Sequence, residues 1–297
     1  MAIQILLIII LIFEAQIYKT KEVFLPFLHS DPSKYWRIRL LTVESSWSGS
    51  VVIIFTFLPV FLSEYLNRKG AQRILVYCTS LFFFFYYTIH SESKGYLLLL
   101  LISLLPMLVR YMYSNKQLRY VLFIALIPLV ISLIVGFQFL DKEFFSQLNT
   151  NVSVGTRLTG DLAAIKTFVM NPLGVGLGPF MEIYTNNINC LINADFMQEF
   201  NTLEIEQYLH TPKNLSSKTY FFDHLVFGGF FFLIFFYLFF IKRLRRVSYI
   251  KKGYLLKMIL IYVILSSIFY LTLHIKYEVW FFLALIDFLE NNEPKTT

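Results

Sequence analysis

A chain of 297 residues that is 57% hydrophobic and only 15% charged, with a mean hydropathy of +0.62, is not a soluble globular domain, since such domains carry nearer a quarter charged residues. In a soluble protein the net charge of +7 would suggest nucleic acid; here the basic residues sit mostly in short loops between apolar blocks, so they report topology and no nucleic-acid partner is expected. The two cysteines, Cys78 in an apolar block and Cys190 in a polar loop, give neither a disulfide framework nor a zinc site.

The apolar residues come in long blocks and not in the alternation of an outer-membrane barrel. The expected fold class is therefore all-α, a polytopic transmembrane helix bundle with a helical outer-face loop. Residues 1–18 form the first membrane helix. They lack a basic n-region and a small-residue cleavage site, so they read as a retained helix and not as a signal peptide. Residues 19–48 follow as an outer loop, and 49–66 cross back. The blocks 74–89, 96–109 and 120–140 cross in turn, and the polar stretch 141–219 stays outside. Residues 220–241 return and 254–273 go out, while 279–289 is short enough to be tilted, partial or re-entrant. This makes about eight membrane segments. The 33 Phe and 19 Tyr suit lipid-facing bulk and interfacial anchors.

Orientation follows from two independent features. One basic loop carries Arg68, Lys69 and Arg73, a second Arg110, Lys116 and Arg119, and a third Lys242, Arg243, Arg245, Arg246, Lys251 and Lys252. The positive-inside rule places all of them in the cytoplasm, and helix parity agrees. Both termini are then cytoplasmic. The expected domains are 1–140, membrane helices with the outer loop 19–48; 141–219, a large outer-face loop; and 220–297, the C-terminal membrane helices.

The large outer loop has internal order. Leu158, Leu162, Ile165 and Val169 recur at helical spacing over 156–170, and Asn171-Pro172 ends that helix. It is expected to lie along the outer interface. Residues 194–209 form a second amphipathic candidate, with Phe196, Phe200 and Leu203 on one face. Pro172, Gly174, Gly176 and Gly178 do not match the dinucleotide fingerprint, which needs a strand before its glycines. They read as a structural turn that lets backbone approach a neighbour closely.

Four polar clusters fall on the outer side. They are Trp36, Arg37 and Arg39 with Glu44; the hairpin Ser91, Glu92, Ser93, Lys94; Arg157 with Asp161 and the glycine turn; and a stretch from His210 through Lys213 and Lys218 to Asp223 and His224, ending at Gly228-Gly229. Outer loops are ordinarily poor in cations, so Arg37, Arg39, Lys94, Arg157, Lys213 and Lys218 are exceptions. Singly, each is accounted for by a long side chain reaching from a helix end to the headgroups. As a set they suit a phosphate or pyrophosphate. His210 reads as a general base, a phosphate partner or an ordinary loop histidine. Asp223 and His224 read as an interfacial pair. No H-E-x-x-H and no outer D-x-D occurs, so no metal and no cofactor is expected.

Four of these stretches, in this order, resemble the superfamily of O-antigen ligases and O-antigen polymerases, bacterial envelope polysaccharide enzymes. Arg37-Ile38-Arg39-Leu40-Leu41-Thr42-Val43-Glu44 resembles the family's Arg-rich stretch ahead of a membrane helix. Ser91 through Tyr96 is similar to its Ser-Arg-Gly hairpin, with Lys94 for Arg. Arg157 through Gly178 resembles its outer-loop signature, an Arg and an amphipathic helix followed by Pro-Leu-Gly-x-Gly-x-Gly, and is the most specific stretch. The last runs from the large loop to Gly228-Gly229. The ligase pattern has a histidine at the position that Ser217 occupies here, and His210 lies seven residues too early, which favours polymerase over ligase. The resemblance spans roughly 37–229 and corresponds to the later part of longer family members, so the chain is expected to be a short member or one lacking N-terminal helices.

The resemblance implies a glycosyltransferase that joins polyprenyl-diphosphate-linked oligosaccharide repeat units of an O-antigen or capsule-type polysaccharide at the outer face of the membrane. An acceptor hydroxyl attacks the anomeric carbon and the lipid diphosphate leaves with inversion, without a metal. In that scheme Glu44, then His210, would be the catalytic base. Arg37, Arg39 and Arg157 would bind the diphosphate with Lys94 and Lys218 as auxiliaries, and the three arginines are expected to converge on one outer-face cavity. Membrane lipids and partners in envelope assembly go with this reading. Two other readings stay open besides the ligase-type transferase. One is a transporter or flippase of lipid-linked precursors, although helix centres hold almost no charge and no internal repeat is visible. The other is a non-catalytic member of an assembly complex.

Overall fold

The computed structural model describes residues 1–20, 38–40, 42, 47–91, 93–114, 152–210, 216–271 and 276–292. Among the described residues there are ten α-helices, one 3-10 turn and no strand. The helices are α1 Ala2–Thr20, α2 Ser48–Tyr65, α3 Gly70–His90, α4 Lys94–Ser114, α5 Val152–Met170, α6 Phe180–Ile192, α7 Leu203–His210, α8 Tyr220–Val247, α9 Tyr254–Phe269 and α10 Tyr277–Asn292. Two of them, α2 and α8, are long and apolar enough to cross a membrane by length and composition. Shorter apolar stretches occur at Ala2–Gln16, Gly95–Pro106 and Tyr254–Phe269. The expected crossing at 120–140 lies outside the described residues.

The chain divides into two compact units, Met1–Met107 with Phe239–Thr297, and Leu108–Leu238. In the first, α2 packs against α3, α9, α10 and α1. Val52, Ile53, Ile54 and Phe61 of α2 are fully buried, as an all-round apolar helix requires. In contrast, α1, α3 and α4 turn Ile5, Leu6, Ile9, Leu81, Phe85, Leu98 and Leu101 outward.

The two ends of this unit differ in chemistry. At one end two of the basic loops meet. The Lys252 ammonium donates to the Glu64 carbonyl oxygen at 2.6 Å, and the Glu64 carboxylate accepts from the Tyr77 hydroxyl at 2.5 Å and the Tyr254 hydroxyl at 2.8 Å. Arg243 and Arg246, at the end of α8, pair with Asp287 at 2.7 Å and Glu290 at 2.9 Å on α10. At the other end hydroxyls and tyrosines collect: Ser48 with Tyr87 at 2.5 Å, and Tyr262 with Tyr270 at 2.5 Å. There too Lys276 donates to the Trp47 carbonyl oxygen at 3.2 Å, and Ser50 to Glu278 at 3.0 Å.

The second unit is built from α5, α6, α7 and the first half of α8 around Ala163, Ala164, Phe180, Tyr184, Ile188, Ile205 and Val226. Two expectations are corrected here. The single helix over 194–209 is instead a 3-10 turn at Asp195–Met197 followed by the short α7. Asn201 takes the Leu203 N–H on its side-chain oxygen at 3.2 Å, and Thr202 donates to Glu206 at 2.6 Å. Such side chains compete with the helix ladder and start a new helix at 203. Helix α6, absent from the sequence reading, forms because Phe180, Tyr184 and Ile188 line up on one face and are buried.

Candidate functional site

Helix α5 brings the chemistry of the second unit together. Gly160 is one point of close approach: a methyl group there would lie 3.2 Å from Ser217 Cα and 3.2 Å from the Tyr184 hydroxyl oxygen. The Tyr184 hydroxyl donates to the Gly160 carbonyl oxygen at 2.9 Å and ties α6 to α5. The segment before α8 is held by Asp223, which accepts from Ser216 Oγ at 2.7 Å and from the Ser217 N–H at 2.8 Å.

Arg157 and Asp161 stand one turn apart on α5, on the same helix face. Oδ1 of Asp161 is buried and has no hydrogen-bond partner among the described residues. Burial pushes the Asp161 carboxyl up to about 8; the Arg157 charge pulls against this and the Asp223 charge adds to it. A carboxyl with that titration range can both hold and accept a proton near neutral pH, the property required of an acid–base group.

Beside it runs a second network. Glu204 of α7 accepts from Lys218 at 2.5 Å and from Thr156 of α5 at 3.1 Å, and from the Tyr208 hydroxyl. The Lys218 ammonium also lies 4.9 Å from the centre of the Tyr208 ring. Burial alone would raise the Glu204 carboxyl, but the hydrogen bonds from Lys218, Tyr208 and Thr156 outweigh it and hold the group below its usual range. For Lys218, burial works downward and Glu204 works upward, and Glu204 wins. Lys218 reaches this position with a left-handed backbone, φ 62°.

The glycine turn closes the unit. Gly174 and Gly176 have φ of 84° and 68°, and Gly229, inside α8, has φ of 51° and breaks that helix. Turn and break interlock. Val175 and Gly176 donate their N–H groups to the carbonyl oxygens of Val226 at 2.9 Å and Phe227 at 3.1 Å, and Phe230 donates to that of Pro172 at 2.8 Å. A methyl group on Gly174 would sit 2.4 Å from the Phe227 oxygen, and one on Gly229 would sit 2.3 Å from the Pro172 oxygen, so neither position admits a side chain. Gly178 has open space around it and no left-handed backbone.

A Klebsiella pneumoniae protein described as an uncharacterized 49.5 kDa protein in cps region is 30% identical over 266 residues, which is 87% of this chain and 53% of that protein. The chain thus spans about half the length of the curated relative it matches. No family model matches the chain. No solved structure matches it either.

The sequence-predicted site residues are distributed over both units. Arg37 and Glu44 lie outside the described residues. Arg39 belongs to the first unit, where its N–H and that of Leu40 donate to the buried Glu14 carboxylate at 3.1 and 2.7 Å. Lys94 opens α4 in the same unit. Arg157 and Lys218 share the second unit and are linked through Thr156 and Glu204. Lys218 does not offer an uncommitted charge, since Glu204 already takes it. His210 is exposed at the C-terminal end of α7.

The sequence reading assigned no role to Asp161, Glu204 or Glu14. The i, i+4 spacing of Arg157 and Asp161 on an amphipathic helix was the one available signal. Among the described residues no group of three or more His, Cys, Asp or Glu has metal-site geometry.

Proposed function

We propose that the chain is a membrane-embedded polymerase that joins polyprenyl-diphosphate-linked glycan repeat units at the outer face of the bacterial inner membrane by inverting glycosyl transfer without a metal. The single observation that carries this reading is the Arg157–Asp161 pair, a cation one turn from a carboxyl whose buried Oδ1 has no hydrogen-bond partner among the described residues and which burial pushes up to about 8. The relative in a cps region, read as a capsular polysaccharide region, supports the process. The outward apolar faces of α1, α3 and α4 and the lengths of α2 and α8 support the membrane setting. The gathering of basic loops at one end of the first unit supports an orientation with that end and both termini in the cytoplasm, and residues 141–219 outside.

In this mechanism the acceptor hydroxyl oxygen forms a bond to the anomeric carbon of the donor sugar. The bond from that carbon to the diphosphate oxygen breaks, and its electron pair leaves with the lipid diphosphate. The hydroxyl proton passes to the Asp161 carboxylate. Arg157 binds the leaving diphosphate through paired N–H donors. Asp161 takes precedence over Glu44 and His210 as the base because it stands next to the cation that would hold the leaving group. Glu204 fixes Lys218 and Thr156, and so frames the start of α5.

The test is genetic and chemical. Cells lacking the protein are expected to accumulate single repeat units on the lipid carrier, and Arg157→Ala and Asp161→Asn variants are expected to reproduce this with normal protein levels. Accumulation of full-length chains on the carrier would instead mean a ligase. Unchanged polymer with either variant would refute the site.

A further inference from the structure

Between Lys166 and Glu182 the chain has no ionisable side chain. Within that stretch Val169, Met170, Leu173 and Leu177 are 69%, 65%, 69% and 78% exposed. Four large apolar side chains displayed together at a helix end and on a turn are not what a water-facing loop presents; such patches mark contact with a partner or a membrane.

The neighbour of this tip says which. The turn is hydrogen-bonded to α8 on both sides of the Gly229 break, through Val226, Phe227 and Phe230. A helix broken inside hydrocarbon leaves carbonyl and N–H groups that water cannot satisfy, so a break at that depth needs protein partners. The turn supplies them. On α8 itself, Phe230, Phe231 and Phe235 also face outward, on a helix long and apolar enough to cross the bilayer. From Tyr220 to Gly229 the helix rises about 13 Å at its usual 1.5 Å per residue, so the turn rides on the side of α8 below its end. The other end of α8 carries Lys242, Arg243, Arg245 and Arg246, which places the turn in the opposite leaflet.

We propose that the tip formed by Val169, Met170, Leu173 and Leu177 is inserted among the lipid acyl chains of the leaflet at the Tyr220 end of α8, and so anchors α5 at the interface. This rests on α8 being a membrane helix and is independent of the glycosyl-transfer reading. The experiment uses the full chain in lipid nanodiscs, with Cys78 and Cys190 replaced by serine and a bimane fluorophore on one introduced cysteine. Leu173→Cys and Leu177→Cys probe the tip, Phe231→Cys probes α8, and Glu199→Cys, at an exposed polar position of the same unit, is the water-facing control. With phospholipids brominated near the headgroup end of the acyl chain, the labels at 173, 177 and 231 are expected to lose most of their emission. The label at 199 is expected to respond only to aqueous iodide. Quenching at 231 without quenching at 173 and 177 would overturn the insertion of the tip alone. Iodide quenching at all four positions would overturn it together with the membrane reading of α8. Tip emission that responds to the number of chains per disc and not to bromolipid would assign the patch to a second copy and overturn the proposal.

Discussion

Replacing Asp161 with asparagine should stabilise the protein while abolishing its activity. The folded carboxyl titrates at about 8 against an ordinary value of 3.8. The folded state therefore keeps a proton that the unfolded chain releases over the whole interval between. In that window the unfolded state binds fewer protons, so stability falls as pH rises; it is highest below about 4 and the loss is complete above about 8. Roughly four units at 1.36 kcal/mol each give a ceiling of about 5 kcal/mol, reached at alkaline pH and lowered by the solvent that Asp161 still meets. Asparagine is close to isosteric and cannot ionise, so it carries no such penalty.

The measurement is the thermal midpoint of the full chain in nanodiscs, for parent and Asp161→Asn, near pH 5 and again at about pH 8.5. The variant should gain on the parent as pH rises, by several degrees at the alkaline end. Polymer synthesis should fall by about 100-fold or more, the usual contribution of a general acid or base. A midpoint difference that does not change with pH would mean that Asp161 titrates as an ordinary surface carboxyl, and the acid–base role would go with it. Asp161→Asn with full activity would have the same consequence for the chemistry, whatever the midpoints.

Arg157→Ala should lower polymer synthesis by about 100-fold or more with the fold intact, and Arg157→Lys should recover only part, because an ammonium cannot reproduce paired guanidinium donors; full activity in either refutes the diphosphate role. Gly174→Ala and Gly229→Ala should each destabilise by about 2 kcal/mol or more, from the left-handed backbone plus a methyl group within 2.4 Å of backbone atoms, while Gly178→Ala should be silent in thermal unfolding. A double-mutant cycle on Lys218 and Glu204 should give a coupling of about 1 kcal/mol, since the pair is largely shielded from solvent. The stability that Glu204 contributes is present above its ordinary value of 4.5 and is lost as pH falls through its lower folded value, so the coupling should fade on acidification. Single cysteines at Lys69 and Lys251 should be labelled only from the cytoplasmic side and one at Glu199 only from outside; the reverse pattern sinks the orientation.

Among the described residues, helices were legible where a long apolar block ran between basic or polar loops. The expected crossing at 49–66 corresponds to Ser48–Tyr65, and the one at 254–273 to Tyr254–Phe269. Composition and the 3.6-residue period are local signals and suffice there. Helix α6 escaped because its buried stripe is interleaved with Asn186, Asn187, Asn189 and Cys190, which dilute the apolar pattern. Arg157 stood out as a cation where outer loops carry few, whereas Asp161 stood out only as its neighbour. What raises Asp161 is burial, with the Asp223 charge of α8 adding to it, and no local pattern encodes that. The pairing of Lys218 with Glu204, and of Glu14 with the backbone of Arg39 and Leu40, likewise joins residues that are separated by loops.

The two glycine clusters make the same point with a consequence for mechanism. The sequence shows Gly174 and Gly176 in one place and Gly228 and Gly229 in another, and nothing local says that they meet. In the fold, α8 is fastened to α5 and its turn at two points. One lies at its start, where Asp223 holds Ser216 and Ser217 against Gly160. The other lies at its break, where Gly229 fits over Pro172 and Gly174. Two attachments fix both position and rotation of the intervening segment, whereas one would leave it free to swing. Asp161 sits on α5 between those constraints and Arg157 one turn before it, so their distance from α8 is set by close backbone contacts. The proposed transfer from a lipid-anchored carrier to an acceptor would need that fixed height, and a site on rigid backbone supplies it better than one on a loop.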